Sequence, residues 1–139
     1  MVKAGNLALV AAISMLAGAI PAWARTVEVA INAPAKAEYT VSINTKINGA
    51  GKGELGLQKA SGQAESVTDG PVSAKGASIL QLELPDDSFI FDRCIELKRD
   101  GSSGYFRVQA KGSNLRVEGV KESHKKINAT VARNAITLK

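Results

Sequence analysis

From residue 26 to the C-terminus, segments with apolar side chains at every second position recur repeatedly, and a 3.6-residue helical spacing is almost nowhere found. A period of two is the geometry of a strand with one face buried, so this pattern confines the chain to β architectures. Val27, Val29, Ile31 and Ala33 alternate with Thr26, Glu28, Ala30 and Asn32. Beyond Pro34, Tyr39, Val41, Ile43, Thr45 and Ile47 share one face, with Thr40, Ser42, Asn44 and Lys46 on the other. Asn48 to Gly53 reads as a turn, and a short Leu55–Leu57 segment follows. Residues 60–78 are rich in Ser, Gly, Ala and Lys and contain the turn signal Asp69-Gly70-Pro71. They read as a long loop or a weak strand around Val72.

The second half repeats the pattern more strongly. Ile79 to Leu84 points Leu80, Leu82 and Leu84 inward and Gln81 and Glu83 outward, and Pro85-Asp86-Asp87 ends it. Phe89 to Leu97 holds Phe89, Phe91, Ile95 and Leu97 in one phase; Arg93 interrupts that phase and marks a candidate bulge. Asp100 to Gly104 is expected as a hairpin loop, returning through Tyr105–Ala110 with Phe106 and Val108 inward. Lys111 to Asn114 makes the next turn and Leu115–Val120 the next strand. Lys121–Lys126 is a charged turn or a single helical turn, before strands through Ile127, Ala129 and Val131 and through Ala135–Leu138. Eight or nine short strands spaced in this way predict an all-β fold. The expected form is one small antiparallel β-sandwich, immunoglobulin-like or jelly-roll-like, with a small β-barrel as the alternative.

The first 24 residues have the parts of an export signal. Lys3 is the basic start, Leu7 to Ile20 an uncharged apolar run, and Ala22-Trp23-Ala24 a small-x-small cleavage site behind Pro21. The run is shorter than the roughly 20 residues a membrane span needs. The expectation is a cut after Ala24, a periplasmic or secreted address, and a single domain over residues 25–139 with no transmembrane segment. No cysteine stands just after the cut, which argues against a lipid anchor. The one cysteine, Cys94, rules out an internal disulfide. On a strand its neighbour Arg93 points to the other face, so a structural thiol is expected.

Charge is uneven. Residues 25–110 carry 10 basic and 11 acidic side chains, whereas residues 111–139 carry 7 and 2. Lys111, Arg116, Lys121, Lys125, Lys126 and Arg133 form a candidate basic patch for an anionic envelope polymer, the alternative being a solvated edge guarded by lysines. No aromatic residue interleaves with these cations, so nucleic acid is not expected as a partner.

Catalytic and metal chemistry lack their usual residues. His124 is the only histidine, within Glu122-Ser123-His124-Lys125-Lys126, and could meet Ser103 or Cys94 only through tertiary contact. One histidine and one cysteine, 30 positions apart, do not make a zinc or copper site. Asp86, Asp87 and Asp92 match no EF-hand spacing, which leaves calcium through a β-loop open. No enzyme activity and no cofactor is expected.

Two binding readings remain beside the anionic surface. The stretch Ser103-Gly104-Tyr105-Phe106, leading to Arg107, resembles the Ser-Gly-x-Tyr-like loop of bacterial periplasmic lysozyme inhibitors, with the tyrosine one place early. That resemblance implies a projecting hairpin in which Ser103, Gly104 and Tyr105 insert into a partner's cleft and Arg107 assists. The other reading is a fimbrial or surface-fibre subunit whose segment 26–33 completes a neighbour's sheet by strand addition.

Overall fold

The computed structural model describes residues 25–44, 54–68 and 70–139. The expected leader, the Asn48–Gly53 turn, Thr45–Ile47 and Asp69 lie outside the described residues.

The strands form two sheets packed face to face. The first contains β1 (Arg25–Asn32), β3 (Leu55–Lys59), β4 (Ala64–Ser66), β6 (Ser78–Leu84), β10 (Ala129–Ala132) and β11 (Ala135–Leu138), in the order β10-β11-β1-β6-β3-β4. The second contains β2 (Glu38–Ile43), β5 (Val72–Lys75), β7 (Ile90–Arg99), β8 (Ser102–Lys111) and β9 (Asn114–Gly119), in the order β5-β2-β7-β8-β9. Neither sheet closes on itself, so the fold is a small all-β sandwich rather than a barrel.

The alternating residues do what their period demands. Val29, Ile31, Leu57, Leu80, Leu82 and Leu84 from the first sheet meet Val41, Phe91, Ile95, Leu97, Phe106 and Val108 from the second, all fully buried. Burying each such side chain contributes about 1.5–3 kcal/mol, so the interlayer core is the main source of stability in a chain with no disulfide. Tyr39 and Ser78 pair their polar groups inside it: the Tyr39 hydroxyl donates to the Gly76 carbonyl at 2.6 Å and shares a 2.7 Å bond with the buried Ser78 Oγ.

Four local expectations are corrected. Within residues 60–78 the strand alternative around Val72 is the one that forms, as β5, and β4 adds a strand where none was expected, a short piece held by pairing with β3 rather than by its own propensity. The β7–β8 ladder runs unbroken from Ile90–Lys111 to Arg99–Ser102, so Arg93 marks no bulge; it lies half-buried in the inward phase. The hairpin loop is only Asp100-Gly101, with φ of 51° and 81°, the left-handed pair that a two-residue I′ turn requires. And one pair is parallel: Ala30–Asn32 of β1 beside Ala135–Thr137 of β11. Parallel neighbours need a long crossover, here supplied by nearly the whole domain between its two terminal strands.

A 3-10 helix over Val120–Ile127 packs mainly against β8. Lys121 and Glu122 break it with φ of 51° and 58°. Ile127 is buried against Gly104, where an added Cβ would come within 2.8 Å of Ile127 Cδ1. The His124 ring lies over Gly119 and 6.5 Å, centre to centre, from the Phe106 ring.

Candidate functional site

The residues expected to project from a hairpin are strand residues. Ser103, Gly104, Tyr105 and Arg107 all lie within β8, paired with Lys98, Leu97, Glu96 and Cys94. Ser103 Oγ donates to Glu96 Oε2 at 2.8 Å, and Gly104 is buried because Ile127 occupies the space a side chain would take. β9 pairs with β8 only as far as Phe106, so the next edge groups, those of Tyr105, need another partner. The buried Ser123 hydroxyl supplies it, accepting from Tyr105 N at 2.8 Å and donating to Tyr105 O at 3.3 Å. This part of β8 is therefore a covered edge. The Asp100-Gly101 turn instead borders a groove of about 720 Å³ lined by the Lys59–Gln63 turn and residues of β2, β5 and β7. Lys59, Lys75, Lys98 and Arg99 line it. The sequence reading missed this cluster because its members come from three separate segments, β3, β5 and β7.

The acidic residues go to three different partners. Asp86 Oδ1 accepts from Ser88 N at 2.8 Å and Ser88 Oγ at 2.6 Å, which holds its carboxyl below the usual range. Asp87 pairs with Arg25. Asp92 takes Arg107 in a two-point grip, Nε at 3.0 Å and Nη2 at 2.7 Å, which pushes the guanidinium pKa up further. Among the described residues no three His, Cys, Asp or Glu side chains gather around a point that could hold a metal ion.

Cys94 is buried but stands in the outward phase of β7, opposite Arg107. Burial pushes its thiol pKa up, more than Arg107 lowers it. His124 Nδ1 is buried with no hydrogen-bond partner among the described residues, so no acid orients the ring.

The basic residues separate into two groups. Lys121, Lys125 and Lys126 lie on the 3-10 helix, where Lys125 pairs with Glu122 at 2.7 Å; that contact holds the Glu122 carboxyl below its ordinary range. Lys111, Arg116 and Arg133 converge on a groove of about 790 Å³ where β9, the last strand of one sheet, meets β10, the last strand of the other. Leu115, Val117 and Val131 form its apolar lining. Beside them lies Ile90, 58 % exposed and the one large apolar side chain that stands out in solvent among the described residues. Arg116 pairs with Glu118 at 3.3 Å, and Arg133 Nε reaches across the seam to the Leu115 carbonyl at 3.4 Å. The sequence marked the cations but not this division, which depends on where two sheet edges meet.

Segment 26–33 is engaged within its own sheet. Residues 25–31 pair with β6 and residues 30–32 with β11, as an ordinary internal strand does. No helix among the described residues is long and apolar enough to cross a membrane. Comparison with protein-family models, with curated proteins and with solved structures found no match.

Proposed function

We propose that this chain is an exported, non-enzymatic binding module that engages a protein or an anionic component of the cell envelope through the β9–β10 seam. The observation that carries the reading is the convergence of Lys111, Arg116 and Arg133 on an apolar-lined groove beside exposed Ile90. Exposed apolar surface with a predominantly basic rim, here three cations to the one carboxylate of Glu118, is a common form of recognition surface. The leader pattern of residues 1–24 supports the exported address. The lone imidazole without an orienting acid supports a role in binding rather than in nucleophilic chemistry.

Retention on an immobilised polyanion, dextran sulfate, tests the groove. The triple variant Lys111→Ala/Arg116→Ala/Arg133→Ala is expected to elute at clearly lower salt than the parent. Lys121→Ala/Lys125→Ala/Lys126→Ala, which removes as many charges from the 3-10 helix, should shift elution less. Equal shifts would mean that net charge alone governs retention and that the seam is not the surface. Expression with the leader in a bacterial host tests the address: the expected periplasmic product begins at Arg25, and an unprocessed cytoplasmic product overturns that part.

The inhibitor resemblance has less to stand on, because Ser103 and Tyr105 are held in a ladder and Tyr105 is bound to Ser123. Strand exchange through segment 26–33 likewise requires two sets of pairings to be broken.

A further inference from the structure

We infer that the seam groove receives an extended acidic peptide segment of a partner protein, which adds as a strand to the free edge of β9. This rests on the proposed use of the seam and names its occupant.

The edge geometry follows from the turn before it. Gly112-Ser113 is a two-residue connection, so Lys111 and Asn114 form the closing pair of the β8–β9 hairpin. In such a pair both residues exchange N–H···O bonds, and the pattern alternates along the strand. Asn114, Arg116 and Glu118 thus bond to β8, while the N–H and C=O groups of Leu115, Val117 and Gly119 face away from it. Arg133 confirms the direction by reaching the Leu115 carbonyl from the far side. Among the described residues no strand pairs with that flank. β9 has six residues, an edge of roughly 20 Å, enough for a segment of five or six residues.

Charge and polarity select the segment. Leu115 and Val117 are only 9 % and 6 % exposed, so an acyl chain would gain little further burial there. The unused capacity is backbone hydrogen bonding, which an extended peptide supplies and a lipid tail or polysaccharide does not. Lys111, Arg116 and Arg133 outnumber the single carboxylate of Glu118, so acidic side chains are preferred. At 3.4 Å the Arg133–Leu115 bond is long and weak, and a peptide carboxylate offers that guanidinium a stronger partner. Arg133 guards the edge against neutral strands and yields it to an acidic one.

The test is a titration of the isotope-labelled protein with a synthetic six-residue peptide of alternating glutamate and valine, followed by amide shifts and hydrogen exchange. Saturating peptide is expected to slow exchange at Leu115 and Val117 about tenfold or more. A peptide with lysine for glutamate should bind at least about tenfold more weakly. Arg116→Glu/Arg133→Glu should abolish binding of the acidic peptide. An acidic peptide N-methylated at alternate residues keeps the charge but loses the edge bonds, and it should fail to protect either amide. Equal binding of the methylated peptide, with no protection, would overturn strand addition and leave the groove as a charged surface. So would dextran sulfate perturbing Lys111, Arg116 and Arg133 while the peptide binds nowhere. Protection of Leu115 and Val117 without peptide, with a doubled mass by light scattering, would make a second copy of this chain the occupant and overturn the inference. If neither probe touches the seam, both the inference and the proposed surface fail.

Discussion

Three polar side chains on or inside this sandwich behave differently because their partners differ. Ser123 and Tyr39 each bridge two polar groups, and removing either hydroxyl takes that partner from both. Ser123→Ala and Tyr39→Phe are each expected to lower unfolding free energy by about 1–3 kcal/mol, read from urea midpoints at unchanged slope. Burial also pushes the Tyr39 hydroxyl pKa up. Glu83 is the opposite case. Its Oε1 is buried with no hydrogen-bond partner among the described residues, and burial, with Glu54 nearby, pushes its carboxyl above the usual range. A raised carboxyl contributes its stability below the unfolded value, about 4.3, and loses it as pH rises through the higher folded value. Glu83→Gln should therefore match the parent near pH 3.5 and exceed it in stability at about pH 7. A constant difference at both pH values would show that ionisation of Glu83 is not the cause. The period-two reading assigned Gln81 and Glu83 to the outward phase correctly, yet Gln81 is fully buried and bonded to Glu28 at 2.7 Å. Phase is a local property, whereas exposure depends on what else packs over a face.

Turns and edges set the behaviour of the elements. Asp100 and Gly101 both hold left-handed φ, and Gly101→Ala should cost about 1 kcal/mol without altering the β7–β8 register. The heteronuclear spectrum checks this, since a register slip would move every cross-strand contact of β8. Gly119→Ala should cost more, about 1–3 kcal/mol, because its Cβ would meet the His124 ring and drive it off Phe106. Most strands were legible because each carries its own alternation. β4 was not: three residues have too short a period to register, and it exists as a strand through its pairing with β3. The same reasoning explains the hairpin. A loop of Asp100 to Gly104 is rich in turn residues, but Ser102, Ser103 and Gly104 pair with Arg99, Lys98 and Leu97, which lengthens both strands at the expense of the loop. Pairing satisfies backbone groups that a wider loop would leave to solvent.

The described residues form two sheets; the chain's first and last strands there, β1 and β11, pair inside one of them, and Cys94 is buried in the ladder of the other. Light scattering with and without reductant is expected to give the monomer mass in both cases, since segment 26–33 is already paired and the thiol is covered. A thiol reagent should react with Cys94 only on unfolding, and prompt reaction in the native state would contradict its burial. The order of residues by itself determined the all-β class, the two-faced strands and most of the core, because period, turn chemistry and apolar content act within a few residues of each other. It marked Lys111, Arg116 and Arg133 as cations, with nothing to separate them from Lys121, Lys125 and Lys126. Tertiary structure alone decided that β9 and β10 are the outer strands that meet at a seam, that Ser123 closes the edge beside Tyr105, and that Gly104 makes room for Ile127. Sheet order and edge position depend on contacts between residues far apart in the chain, and no local period carries that information.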